Sequence, residues 1–84
     1  MRNTLLEHTI LKVLGNTPRA ILLSTLSAEV DVRIDHHELT YNDLRDTLQR
    51  LSFLGLVTQT KDVLDYSRWS ITDKGQSALK ELEL

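Results

Sequence analysis

The chain of 84 residues contains no cysteine, which excludes disulfide bonds and cysteine-based zinc sites. Hydrophobic packing must therefore supply most of the stability, and this composition suits the reducing cytoplasm, where we expect the protein to work. No apolar run approaches the roughly 18 residues that a membrane span needs, and the first residues lack the apolar core of a signal peptide. We expect a single domain over residues 1–84, with no membrane association.

The chain also lacks an excess of basic over acidic residues. The chain has 10 Lys and Arg residues against 12 Asp and Glu residues, a formal net charge of −2, whereas nucleic-acid-binding domains more often carry a basic excess. Residues 1–34 hold four basic and three acidic side chains (+1), and residues 35–84 hold six and nine (−3). Any binding to nucleic acid must therefore depend on where a few cations lie.

Motifs of enzymes and of metal sites are missing as well. No serine lies in a nucleophile elbow, and the three glycines are too far apart to form a phosphate-binding loop. His8, His36 and His37 come closest to a metal-binding set, but adjacent histidines in an extended stretch point in opposite directions and no spacing matches a zinc motif. We therefore expect no enzymatic activity, no metal and no cofactor.

The strongest pattern in the chain lies between residues 40 and 57. Four leucines recur at steps of four, three and three, which places them on one face of an α-helix: Leu44, Leu48, Leu51 and Leu54. We expect all four to be buried. Thr40 is a suitable N-cap, and Gly55 suits the left-handed residue that ends a helix. The opposite face is polar throughout.

The remaining elements follow from periodicity and turn residues. The sequence predicts helices at 3–14, 24–34 and about 41–54, and a short strand at 20–23. It also predicts paired strands at 57–61 and 67–71, followed by a last helix that Thr72 caps. In that last helix we expect the apolar positions Ala78, Leu79 and Leu82 to face inward. Trp69 shares a strand face with Ile71, which favours a core position over an exposed stacking platform.

The order helix, strand, helix, helix, hairpin, helix resembles the winged helix-turn-helix family, as found in small bacterial or phage MarR-like and PadR-like regulators. Two motifs carry the resemblance: Leu-Gly-Leu-Val at 54–57 and Ile-Thr-x-x-Gly at 71–75. The resemblance covers essentially the whole chain and implies a mainly α fold with a small β-hairpin. Two features depart from the family: the connection between the second and third helices is longer, and no long flanking helices are available for dimerisation.

The resemblance implies a sequence-specific transcriptional regulator that binds double-stranded DNA. The third helix (about 41–54) would enter the major groove, and the hairpin at 57–71 would serve as the wing. Arginine pairs with guanine, and Asn or Gln pairs with adenine. The DNA-binding candidates on the helix and the wing are Tyr41, Asn42, Arg45, Thr47, Gln49, Arg50, Lys61 and Arg68.

Acidic neighbours keep a second interpretation open. Asp43 and Asp46 offset Arg45 and Arg50, and Asp46 with Arg50 forms an i,i+4 pair that can simply brace the helix. The alternative is therefore a winged-helix protein–protein interaction module that does not bind DNA. The apolar residues near the chain ends favour a monomer or a modest homodimer.

Overall fold

The computed structural model describes residues 4–34 and 41–83. The elements are α1 (Thr4–Gly15), β1 (Ile21–Leu22), α2 (Leu23–Arg33), α3 (Tyr41–Phe53), β2 (Val57–Lys61), β3 (Ser67–Ile71) and α4 (Asp73–Leu82). The predicted fold class and element order are confirmed, and both hairpin strands have the predicted bounds. Thr40, His36 and His37, for which the sequence suggested roles, lie outside the described residues.

Helix α1 forms the centre of the core. It packs against α2, α3, α4 and β3, and leucines, isoleucine and valine cover most of its circumference. Leu48 of α3 and Leu26 of α2 are fully buried against it, and Trp69 of β3 is also buried, so the predicted core position of Trp69 is confirmed. Within the described ranges, no helix combines the length and the apolar character that crossing a membrane requires.

Two predicted core positions are wrong. Leu54 is 39% exposed, because α3 ends at Phe53 and the chain turns away at Gly55, whose φ is +79°. Leu56, beyond the turn, packs against the core instead. Leu82 is exposed because it lies in the last turn of α4, whereas Leu79, one turn earlier, is buried.

The three strands form one antiparallel sheet in the order β1-β3-β2. The central strand β3 pairs with both neighbours, so that Trp69 lies opposite Ile21 on one side and Gln59 on the other. Because side chains alternate along a strand, Ser67, Trp69 and Ile71 share one face of the sheet and Arg68 lies on the other. The hairpin of β2 and β3, residues 57–71, is hereafter called the wing.

The two sequence motifs meet at the base of the wing. The Thr72 hydroxyl donates to the Gly55 carbonyl oxygen at 2.6 Å, and the Thr72 amide donates to the Leu56 carbonyl oxygen at 3.0 Å. The Thr72 oxygen also accepts from the Gly75 amide at 3.0 Å, which confirms the N-cap of α4. A β-carbon at Gly75 would collide with the Leu56 carbonyl oxygen. These motif residues therefore hold the wing against the helices.

Candidate nucleic-acid interface

One flank of α3 faces the wing across an open groove of ≈ 640 Å³, hereafter called the α3–wing groove. Tyr41, Arg45 and Gln49 are four residues apart along α3, so they form a single stripe about 12 Å long. Gln59 and Tyr66 line the groove from the wing. The helix and the wing thus bring five polar or amphipathic side chains to one concave surface.

The register of the sheet explains why these wing residues reach the groove. Gln59 lies directly opposite Trp69, on the sheet face that Val57 and Trp69 turn toward the helices. Trp69 is mostly buried in the core, yet its remaining surface lines the groove, so it forms part of the floor. Gln59 was not among the predicted site residues, although its pairing with Trp69 in a two-residue period could have indicated it.

Among the described residues that line this groove, Arg45 is the single charged one. It makes no ion pair or hydrogen bond with any side chain in residues 4–34 or 41–83, and no carboxylate lines the groove with it. The guanidinium therefore has donors that are available to a ligand. Despite the net acidic charge of the whole chain, the described lining of the α3–wing groove carries one positive charge and no negative one.

Arg50, on the opposite flank of α3, has a different environment. Its Nε donates to Oε1 of Glu7 on α1 at 3.1 Å. The Glu7 side chain is only 5% exposed, whereas that of Arg50 is 49% exposed. This contact across the helix interface replaces the i,i+4 pair of Arg50 with Asp46 that the sequence suggested. Arg50 therefore neutralises a buried carboxylate and holds α3 against α1.

Both predicted cations of the wing are also paired with acids. Arg68 Nε donates to Oδ2 of Asp62 at 2.9 Å, and Lys61 Nζ lies 3.6 Å from Oδ1 of Asp65. The hydrogen bond from Arg68 is the main cause that lowers the pKa of Asp62 below its usual value, and backbone amides of the turn contribute. Arg68 also lies on the sheet face opposite Trp69. These pairs reduce the charge that the wing can offer to a phosphate.

The two remaining predicted residues, Thr47 and Asn42, are not among the residues that line the α3–wing groove. The Thr47 hydroxyl donates to the Asp43 carbonyl oxygen at 2.7 Å, so its proton is already engaged within α3. Asn42 is exposed on the outward face of the helix, next to the groove residue Tyr41. Of the eight predicted residues, the structure brings Tyr41, Arg45 and Gln49 together in the groove.

A second groove, of ≈ 230 Å³, lies between α1, α3 and α4. Its lining is mainly apolar and includes Leu11, Ala78 and Leu82, together with the acids Glu7 and Glu81. None of the described residues that line it is basic, so this lining suits an apolar partner surface rather than a phosphate backbone.

Comparison with known proteins gives a consistent result for the fold. No family model matches the chain, and no curated protein sequence matches it. Among solved structures, a winged-helix DNA-binding protein from STIV is similar with a TM-score of 0.83 and 20% identity, over 99% of this chain and 88% of that one. A PadR-like transcriptional regulator from Bacillus cereus is similar with a TM-score of 0.77 and 22% identity, over 94% and 78%.

Longer regulators match over part of their length. A possible HxlR family transcriptional factor from Thermoplasma volcanium has a TM-score of 0.74 and 18% identity, over 95% of this chain. The chain spans 66% of that protein and 54% of BpsR from Bordetella bronchiseptica. At these identities the likeness establishes the fold. The chain therefore has a winged helix-turn-helix fold, as does the winged-helix protein from STIV.

Proposed function

We propose that this protein is a transcriptional regulator that binds double-stranded DNA in a sequence-specific manner. The observation that carries the proposal is Arg45, which has no side-chain partner within residues 4–34 and 41–83 and lines the α3–wing groove among hydrogen-bonding and aromatic side chains. In this arrangement α3 lies in the major groove, and one DNA strand passes between the helix and the wing.

The groove has the chemistry that contacts to a DNA strand require. Phosphate oxygens accept hydrogen bonds from Arg, Ser, Gln and Tyr side chains, and such contacts fix the register of a protein on the duplex. Arg45 with the hydroxyls of Tyr41 and Tyr66 can make these contacts. Gln49 and Asn42, which lie nearer the outward face of α3, are suited to pair with adenine edges.

The ion pairs made by the other predicted cations limit how strongly the protein can bind DNA. Of the four predicted cations, Arg50, Lys61 and Arg68 each have a carboxylate partner, which leaves Arg45 as the one best able to displace counterions in the groove. Each neutralised phosphate contributes a slope of about −0.9 to a plot of log K against log salt concentration. We therefore expect a slope near −1 for each bound chain and weak non-specific binding. Two chains on one site would double the electrostatic contribution.

The proposal is tested by selection followed by titration. Duplexes enriched by the full chain from a random pool are labelled and titrated at about 50 mM salt, where electrostatic attraction is only moderately screened. Arg45→Ala should weaken binding about tenfold or more, as expected for loss of a charged contact. Lys12→Ala is the matched control, because Lys12 is an exposed cation on α1 that does not line the groove.

Two results would reject this function. The first is that the wild-type chain enriches no sequence and binds no duplex at about 100 μM, which is a typical non-specific affinity. The second is that Arg45→Ala and Lys12→Ala bind equally well.

A protein-interaction module is the second candidate. It is favoured by the acidic, mainly apolar groove between α1, α3 and α4, and by the neutralisation of the wing cations. Under this alternative, a partner surface covers exposed residues such as Leu5 and Leu82, and Leu82→Ser rather than Arg45→Ala reduces association. Light scattering measures the mass of the assembly: if the protein associates with itself through this surface, Leu82→Ser should lower that mass and Arg45→Ala should leave it unchanged.

A further inference from the structure

The tip of the wing, residues 62–66, presents aliphatic side chains to solvent. Val63 is 100% exposed and Leu64 is 71% exposed, and they are adjacent in the chain. Tyr66, also exposed, follows them and lines the α3–wing groove, so the tip continues the surface proposed above to bind DNA. Isolated exposed hydrophobic residues are common, but two neighbouring ones at the end of a hairpin form a small apolar projection.

The projection is held in place by hydrogen bonds centred on Asp62. Its Oδ1 accepts from the Leu64 amide at 2.9 Å and from the Tyr66 amide at 3.1 Å. The Asp65 amide donates to the Asp62 carbonyl oxygen at 2.9 Å, and the Asp62 amide donates to the Tyr66 carbonyl oxygen at 3.0 Å. The turn is therefore fixed by its backbone and by the Asp62 carboxylate, and the exposed side chains of Val63 and Leu64 make none of these hydrogen bonds.

The acids of the tip are offset by the cations that flank it, so residues 61–68 together carry no net formal charge. These two acids are each paired with a wing cation, Asp62 with Arg68 and Asp65 with Lys61. A tip of this kind is poorly suited to grip phosphates, yet its acids are sufficiently neutralised for it to approach DNA. Proteins that bend DNA insert such apolar side chains, leucine among them, between base pairs from the minor groove.

We propose that Val63 and Leu64 enter the minor groove next to the major-groove site of α3, wedge into a base step and bend the duplex. The inference rests on the proposed function and adds to it a mode of contact and a distortion of the DNA. It also accounts for a wing without free cations: the wing contributes apolar contact, and Arg45 contributes the charge.

The test measures affinity and bending together. A duplex enriched by the full chain carries a donor at one end and an acceptor at the other, so that bending raises energy transfer. The double variant with Val63→Ser and Leu64→Ser should bind about tenfold more weakly, because apolar burial is lost, and should leave the duplex straighter. Val32→Ser is the matched control, since Val32 is an aliphatic residue on α2 that is 82% exposed and is not among the residues that line the groove.

A second variant separates a wedge from a phosphate contact. Leu64→Lys adds a cation at the tip, so it should strengthen binding if the tip merely lies near phosphates and weaken binding if leucine is a wedge. Both tip variants should unfold at the wild-type temperature, since the tip side chains contact solvent.

The possible results separate failure of the wedge from failure of DNA binding itself. If wild-type protein binds the duplex without bending it, or if the double variant binds and bends like wild type, the wedge is rejected while DNA binding stands. If the double variant changes only the mass measured by light scattering, the tip is a contact between copies and the wedge is again rejected. If wild type binds no duplex, the proposed function fails and the wedge with it.

Discussion

Removing the Arg50 side chain should destabilise the protein rather than abolish DNA recognition. Arg50→Ala leaves Glu7, a carboxylate that is only 5% exposed on its side chain, without the guanidinium 3.1 Å away. Breaking a fully buried ion pair costs about 3–5 kcal/mol, whereas exposed pairs are worth about 0–1 kcal/mol. Because Arg50 itself is half exposed, solvent screening reduces the effect, and we expect a loss of about 1–2 kcal/mol.

The assay is chemical denaturation of the wild type, Arg50→Ala, Glu7→Gln and the double variant. This cycle isolates the coupling between the two side chains, because the glutamine keeps the shape of the glutamate and removes its charge. Arg45→Ala is the matched control on the same helix: Arg45 has no partner among the described residues, so its loss should change stability by less than about 0.5 kcal/mol. In DNA titrations the order should reverse, so that Arg45→Ala weakens binding more than Arg50→Ala does.

The reasoning is refuted if Arg50→Ala is as stable as Arg45→Ala, or if the effects of Arg50→Ala and Glu7→Gln simply add. Either result would mean that Glu7 and Arg50 do not stabilise the α1–α3 interface as a pair. An additive result would return Arg50 to the set of free cations available to DNA.

Three further predictions concern the scaffold. Gly75→Ala should cost about 1–3 kcal/mol in denaturation, since its β-carbon would collide with backbone of Leu56; wild-type stability would contradict that close approach. Leu48→Ala should cost about 2–5 kcal/mol, and Leu54→Ala much less, because Leu48 is fully buried and Leu54 is not; equal losses would contradict this difference. The pKa of Asp62 is lowered in the folded state, so its charged form stabilises the wing above the unfolded pKa near 3.8, and this stabilisation disappears as the pH falls through the folded pKa. The stability difference between wild type and Asp62→Asn should therefore shrink on acidification, and a difference that is unchanged between pH 6 and pH 2 would contradict it.

Periodicity predicted the helices and the hairpin because those elements depend on local patterns. The strand bounds Val57–Lys61 and Ser67–Ile71 follow from a change to a two-residue period, and the leucine repeat fixed the buried face of α3. The pattern failed at Leu54, where a helix end altered the direction of the side chain. A spacing rule assumes that the helix continues through Leu54, whereas α3 ends at Phe53 and the chain turns at Gly55.

The candidate site was only partly predictable. Residue type identified Arg45 and Gln49, and helical spacing placed them on one stripe. Gln59 reaches the groove because it pairs with Trp69, and that pairing belongs to the tertiary structure. Sequence also could not show which cations are free. The partner of Arg50 is 43 positions away on α1, and the Asp62 carboxylate reaches Arg68 only because the turn folds back.

Mapping the bound DNA on the protein by amide chemical shifts tests the central claim most directly. Enriched duplex is titrated into isotopically labelled protein, and the perturbed amides are assigned. We expect the largest shifts at Tyr41, Arg45, Gln49, Gln59 and Tyr66, on both sides of the α3–wing groove, with little change along α1 and α4. Shifts concentrated on α1 and α4, or none at saturating duplex, would contradict DNA recognition through this groove.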